Sequence, residues 1–260
     1  MMKVIPHKTI KPDKDQRIFF CGDVHGDQIA LHKQLKVVGF VEREDMLIFT
    51  GDLIDRGNYS AEIIEFATCT PYVHSVIGNH ESLFIHGLHD TLCRQVHTSP
   101  NVGGQWIEQY SQDQLEDLAE LIQNTMSIAI TVEVGGAKIG VIHATAPDDW
   151  KNVLQPETTD EEEWLWNRKQ FESALMGKEH YVKGLDAVIH GHVVNYKTVS
   201  GNHIWIDTLN YTGSLTIIEA SSVLASISNK AEQLSPVMKD RRIATLDDLS
   251  ELDQKLDLGY

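Results

Sequence analysis

Three glycine-led turns, each placed at the end of a short apolar run, constrain this chain more than any other feature in it. Gly22-Asp23-Val24-His25-Gly26 follows Ile18-Phe19-Phe20. Gly51-Asp52-Leu53-Ile54-Asp55-Arg56-Gly57 follows Met46-Leu47-Ile48-Phe49, and Gly78-Asn79-His80-Glu81 follows Val73-His74-Ser75-Val76-Ile77. Runs of this kind read as buried strands, and the segments between them have helical spacing, with Leu31, Leu35 and Val38 in the first. A strand-helix alternation of this order predicts parallel strands with right-handed crossovers. The polar turns then share one rim of the sheet, where α/β folds place their sites. Glycine permits the sharp turns that bring the ligand-bearing residues close together.

Two further residues join the set. His143 ends the run Ile139-Gly140-Val141-Ile142, and His192 follows Ala187-Val188-Ile189 in His190-Gly191-His192. The candidate ligands are therefore Asp23, His25, Asp52, Asn79, His143 and His192. Carboxylate and amide oxygens mixed with imidazole suit Mn²⁺, Fe or Zn²⁺ better than Ca²⁺, and better than a thiolate-bound zinc. Six ligands exceed one tetrahedral site. They fit two divalent metals that share a bridging carboxylate and stand roughly 3.5–4 Å apart.

In order, these motifs are GDxHG, GDxxDRG, GNHE, a later His143-Ala144 and a later Gly191-His192. The pattern resembles the PPP family of metal-dependent serine/threonine phosphatases, within the calcineurin-like metallophosphoesterases. It is most similar to the short bacterial and bacteriophage lambda-type members, which also carry Trp166-Asn167-Arg168 and Ile206-Asp207-Thr208. The resemblance covers about residues 17–219. It implies an α/β fold of the calcineurin-like metallophosphoesterase type, a mixed β-sandwich flanked by helices. Two departures stand out: Val193-Val194 where relatives have Thr-Pro, and Leu209-Asn210-Tyr211-Thr212-Gly213 after Asp207. Neither touches a proposed ligand; both lie where the family shapes its substrate groove.

The resemblance also implies roles. Asp52 bridges two divalent metals, most readily Mn²⁺, with Fe and Zn as the other candidates. Asp23, His25 and His192 go to the first metal, Asn79 and His143 to the second. Arg56 and Arg168 grip the phosphoryl oxygens through their planar forks. His80 protonates the leaving alkoxide with Asp55 as its partner. A metal-activated water attacks directly, with no covalent enzyme intermediate. The implied reaction is hydrolysis of phosphoserine and phosphothreonine in proteins, with phosphotyrosine an additional candidate. Alternatives are a dinucleoside tetraphosphate hydrolase, against which Asp55 and Glu81 speak, and a non-catalytic phosphopeptide-binding module, for which a ligand or the acid would have to be missing. Glu81 reads as a group supporting the ligands. His7, His32, His74, His86, His89, His97, His180 and His203 read as ordinary surface or core histidines, and Trp164 and Trp166 as core.

The bulk properties bound the rest. With 260 residues, 42% hydrophobic and 23% charged, the chain has the make-up of a globular protein. The segments 127–134 and 137–142 flank Gly135-Gly136 as a hairpin, and 186–190, 203–207 and 214–219 continue the β character. Residues 103–125 read as helical. The expected organisation is an N-terminal arm over 1–16, a catalytic domain over 17–220, and an extension over 221–260 with an amphipathic helix at 245–258. A net charge of −16 argues against nucleic acid as the main partner and leaves a phosphoprotein or phosphopeptide as the expected one. Oligomeric state is left open. Cys21, Cys69 and Cys93 lack metal-like spacing, which fits free thiols in a reducing, cytoplasmic setting. No run approaches the ~20 apolar residues a bilayer span needs, so no membrane partner is expected.

Overall fold

The structure, a computed structural model, describes residues 4–154 and 161–232. The helix expected at 245–258 and the acidic residues 158–160 lie outside the described residues. The opening is the alternation expected: β2 (Ile18–Cys21), α1 (Gln28–Val37), β3 (Met46–Phe49), α2 (Ser60–Cys69), β4 (Val73–Ser75) and α3 (Asn79–Gly87). Before it, β1 (Ile5–Ile10) lies in the stretch read as an arm and pairs in parallel with β5 (Ser127–Val134). Its Pro6 is tolerated because β1 is an edge strand.

Between α3 and β5 lie α4 (Thr91–His97), a 3-10 turn over Gly104–Gln109 and α5 (Gln112–Thr125). The helix expected over 103–125 is thus broken near Tyr110, whose backbone is extended. The cause is local: Ser111 and Gln114 bond each other's backbone N–H in a capping box that starts α5 afresh. The hairpin falls as expected, β5 running into β6 (Ala137–Ile142) in antiparallel register. Then follow α6 (Glu161–Trp166), α7 (Lys169–Leu175), β7 (Ala187–His190), β8 (Thr198–Ser200), β9 (His203–Trp205), α8 (Leu209–Thr212), β10 (Ile217–Glu219) and α9 (Ala220–Glu232).

The strands form a six-stranded sheet, β1-β5-β6-β7-β9-β8, and a four-stranded sheet, β10-β2-β3-β4. In the second, β2, β3 and β4 are parallel; in the first, β6, β7 and β9 are parallel. Alternation along each strand divides the core. Ile18, Phe20, Ile48 and Ile218 from one sheet pack in one cluster with Ile130, Val132, Ile139, Val141 and Ile189 from the other. Phe19, Cys21, Leu47 and Phe49 point the opposite way and pack with Leu31, Ile63, Ile64 and Ala67 of α1 and α2. Both faces of the central strands are covered, which explains their continuous apolar runs. The sheets meet where the Ile77 N–H donates to the Ser127 carbonyl at 2.9 Å. Among the described residues no helix is long and apolar enough to cross a membrane, and the three cysteines are free.

Phe20 is fully buried between the sheets, whereas Ile29 on α1 is exposed. Phe20→Ala is expected to lower unfolding free energy by about 3–5 kcal/mol, through lost transfer and an unfilled cavity. Ile29→Ala should stay within about 0.5 kcal/mol of the parent. Denaturant unfolding of the two variants checks the assignment; equal effects would contradict it.

Candidate metal centre

The C-terminal ends of β2, β3, β6 and β7 and the start of α3 converge. Asp23 and His25 follow β2, Asp52, Asp55 and Arg56 follow β3, Asn79 and His80 open α3, His143 follows β6 and His192 follows β7. All of these but Arg56 are buried. The backbone there is bent against its preference. His25 (φ 47°), Asp52 (49°), Asp55 (72°), Arg56 (67°) and His192 (68°) are left-handed, a region that costs a non-glycine residue energy and recurs at functional sites. Close approach explains two of the glycines. A side chain at Gly78 would run into the Asp52 carboxylate, and one at Gly191 into that of Asp23.

Three imidazoles share one arrangement. His25 Nδ1 lies 3.1 Å from the Ile54 carbonyl, His143 Nδ1 2.7 Å from the Thr50 carbonyl, and His192 Nε2 3.0 Å from the Trp166 carbonyl. A carbonyl only accepts, so each ring donates outward and turns its other nitrogen inward, as metal-ligating histidines do. Inward atoms gather in two groups that share Asp52: His25, Asp52 and His80, and Asp52, His143 and His192, each within 4.8 Å. Asn79 Oδ1 lies 2.9 Å from His143 Nε2 and 3.0 Å from His192 Nδ1. The His192 ring therefore stands with Asn79 and His143, in a different group from His25, with which the resemblance placed it. The reason is topological: β6 and β7 are parallel neighbours, and the Gly191 N–H donates to the His143 carbonyl at 3.1 Å. Asp23 is fixed at the base, accepting from Thr50 Oγ1 at 2.9 Å and from the His192 N–H at 2.8 Å.

The electrostatics suit cations. Burial alone disfavours a charged Asp52, yet the His143, His80 and His25 imidazoles hold its carboxyl well below the usual range. Burial also opposes charging His143, but Asp52, then Asp23 and the Thr50 carbonyl raise it to about 10, so the ring holds a proton that a bound cation would displace. Burial, and next the charges of Arg56 and His143 respectively, push His25 and His192 well below the usual range, which leaves them neutral as ligands must be. Neutral and already donating through Nε2, His192 turns an acceptor nitrogen toward the acceptor Asn79 Oδ1. A shared cation reconciles two such atoms. On the other side, the Arg56 guanidinium reaches in from the rim to His25 Nε2 at 2.9 Å and His80 Nε2 at 3.3 Å, a positive group set against the inward nitrogens. The residues present fit two divalent ions: His25 and Asp52 toward one, with His80 alongside, and Asp52, Asn79, His143 and His192 toward the other, with Asp23 at the base of the centre.

Behind the ligands lies a supporting network. Glu81, third residue of α3, accepts from the backbone N–H groups of Asp52 (2.9 Å), Leu53 (2.7 Å), Ile54 (3.3 Å) and Gly78 (2.8 Å). Burial and the Asp52 charge lift its carboxyl to about 7 against the pull of those donors. Glu81 pins the strained second turn to the start of α3, the supporting place read for it in the sequence. His80 Nδ1 lies 2.7 Å from Asp55 Oδ2. The other Asp55 oxygen accepts from His97 Nε2 at 2.9 Å and Trp106 Nε1 at 2.7 Å. Burial works against this charge, but the bonds from His80 and His97 prevail and hold Asp55 at about 2. His97, read from the sequence as ordinary, and Trp106 are thus part of the centre. They lie 42 and 51 residues from Asp55 along the chain, and no spacing announces them. Arg168 is exposed just before α7, and its charge helps keep His192 neutral. Tyr211, in the second departure from the family pattern, packs edge to face with Tyr196, ring centroids 4.3 Å apart.

Trp106→Phe keeps the ring and removes one donor to a charged acceptor, so it should cost about 1.5–3 kcal/mol at neutral pH. Asp55 has a depressed folded value, so its contribution is complete above the unfolded value of about 3.9 and is lost as pH falls through about 2. The stability gap between parent and variant, measured by urea unfolding, is expected to narrow across that window. A gap independent of pH would remove the Trp106 bond from the support of the Asp55 charge.

Comparison with known proteins agrees with this geometry. The profile of the calcineurin-like phosphoesterases matches residues 16–196. A serine/threonine-protein phosphatase 2 of Salmonella typhimurium is 30% identical over 222 residues, 84% of this chain and 99% of that protein. A symmetrical bis(5'-nucleosyl)-tetraphosphatase of Methylococcus capsulatus is 38% identical over 65 residues, 25% of this chain and 23% of its own length. Among solved structures, a serine/threonine phosphatase from Saccharomyces cerevisiae, described as similar to human phosphatase PP5, superposes with a TM-score of 0.57 at 16% identity, over 82% of this chain and 74% of that one. With its two mixed sheets and its paired Asp and His clusters at the strand ends, the chain belongs to the calcineurin-like phosphoesterase family.

Proposed function

We propose that this phosphoesterase hydrolyses phosphoserine and phosphothreonine in proteins, with phosphotyrosine an additional substrate. The observation that carries the reading is the Asp55–His80 pair, 2.7 Å apart and beside the Asp52 clusters. A relative matching 84% of this chain bears a protein-phosphatase name, while tetraphosphatase relatives match from about a quarter to about half of it. A dinucleotide reading is kept as the alternative because of those relatives.

When bound, the divalent metals, Mn²⁺ first among them, supply Lewis acidity, drawing charge from the phosphoryl group and acidifying water. The chain's own residues do the rest. Asp55 accepts from His80 Nδ1 and so fixes the ring with Nε2 toward the centre, where a proton on Nε2 meets the leaving oxygen. The Arg56 side chain, already at the rim of the centre, offers a planar fork to the phosphoryl oxygens, and Arg168 adds charge from the opposite side. Glu81 keeps the turn that carries Asp52 from relaxing. A net charge of −16 repels a polyanionic nucleotide more than a neutral or basic phosphopeptide. The free cysteines fit a reducing compartment such as the cytoplasm.

His80→Asn is expected to lower kcat on a phosphopeptide by about 10²–10⁴-fold, with metal content retained and a smaller loss on an activated aryl phosphate. Near-parental kcat on the poor leaving group would take His80 out of the acid role. For the substrate class, kcat/KM should be compared for phosphoserine, phosphothreonine and phosphotyrosine peptides and diadenosine tetraphosphate at saturating Mn²⁺. The peptides are expected to lead. A tenfold preference for the dinucleotide, about 1.4 kcal/mol in transition-state binding, would replace the proposal with its alternative.

A further inference from the structure

One buried acid of the centre has no hydrogen-bond partner among the described residues. Asp207 follows β9, the parallel neighbour of β7, and so ends on the same rim as His143 and His192. It is 1% exposed, and neither carboxylate oxygen has a hydrogen bond among the described residues. Its backbone is held firmly: the carbonyl accepts from the Asn195 N–H at 2.9 Å and from Asn195 Nδ2 at 3.3 Å. The Ile206–Asp207 peptide packs on Gly22, where any side chain would strike the Ile206 carbonyl, and the Asp207 charge reaches Asp23, the residue after Gly22. The other acids of the centre are all provided for. Asp23 has a hydroxyl and an N–H, Asp52 the His80 N–H, Asp55 three side-chain donors and Glu81 four N–H groups.

The Asp207 carboxylate lies buried close enough to Asp23 for the two charges to oppose each other, and the Arg56 charge acts on it without a hydrogen bond among the described residues. Nature rarely leaves such a group unpaired without a use for it. Of the chemistries that satisfy a bare buried carboxylate, a cation or the water bound to one is the match for a site already equipped with inward imidazoles and a shared aspartate. We propose that Asp207 is a further acid of the cation centre, standing on the Asp23 side, and that its charge governs how tightly the centre retains a divalent ion. The inference rests on the reading of the centre as a cation site and not on which phosphate ester is cleaved.

The test uses the full chain and its Asp207→Asn and Asp207→Glu variants. After exhaustive chelation and buffer exchange, Mn²⁺ binding is measured by titration calorimetry, and melting midpoints are recorded with and without Mn²⁺. Asp207→Asn should weaken at least one Mn²⁺ site by about 10–100-fold. Its chelated form should melt at or above the parent, because a bare buried anion is gone, while its gain on adding Mn²⁺ should be smaller. Asp207→Glu, which keeps the charge, should bind Mn²⁺ more tightly than Asp207→Asn. Parental affinity and stoichiometry in Asp207→Asn, while the parent binds Mn²⁺, would overturn this inference alone. A parent that binds no Mn²⁺ would overturn the metal reading with it. An Asp207→Asn chain that fails to fold even with Mn²⁺, or melts far below the parent when chelated, would mark a purely structural role and overturn the proposal.

Discussion

The rest of the structure depends on one carboxylate. Asp52 belongs to both groups of inward-facing ligands, and without it they would be two unrelated patches of imidazole. Its position is costly: 3% exposed, with φ at 49°. Burying a charge and bending a non-glycine backbone both work against folding. What offsets them is close by. Glu81 takes up the N–H groups that the bent turn leaves over, the His80 N–H donates to Asp52 Oδ1 at 3.1 Å, and imidazoles on three sides favour the charge. The strain in the second turn is thus carried by a helix start and not by the turn itself.

The two-sheet architecture follows from the same need. The parallel strands β2, β3 and β4 lead to candidate ligands from one sheet, and β6 and β7 lead to them from the other. Loops alone would not hold six ligand atoms to the tolerance a binuclear centre requires, whereas strand ends anchored in an apolar sandwich do. The apolar layer that joins the sheets, with Phe20 and Ile48 meeting Ile130 and Val141, is therefore a condition of the chemistry as well as of stability. Around the ligands a second ring of backbone carbonyls, Ile54, Thr50 and Trp166, sets the ring nitrogens. Asp55, His97 and Trp106 do the same for His80.

The local order was legible without coordinates, since apolar runs ending in glycine-led polar turns can only be strands that stop at a site. That reading located β2, β3, β6 and β7 and the β5–β6 hairpin, and it picked out Asp23, His25, Asp52, Asn79, His143 and His192 as candidate ligands at the ends of these strands and the start of α3, because periodicity and turn chemistry act between near neighbours. It overran at 103–125, where helical spacing hid the Ser111–Gln114 cap.

What tertiary structure alone decided is the partnership of residues distant in sequence. Which ligands share a side, with His192 beside Asn79 and His143, depends on which strands are neighbours. That Trp106 and His97 brace Asp55 depends on a fold that closes 51 and 42 residues of chain onto one carboxylate. That Asp207 is buried without a hydrogen bond among the described residues depends on Gly22 letting the segment after β9 pack against it. The chain by itself determined which side chains can bind a cation, since that is a property of each group. Their distances, charges and unmet bonds arise only when the two sheets bring them together, because electrostatic and hydrogen-bonding energies depend on geometry that no local pattern encodes.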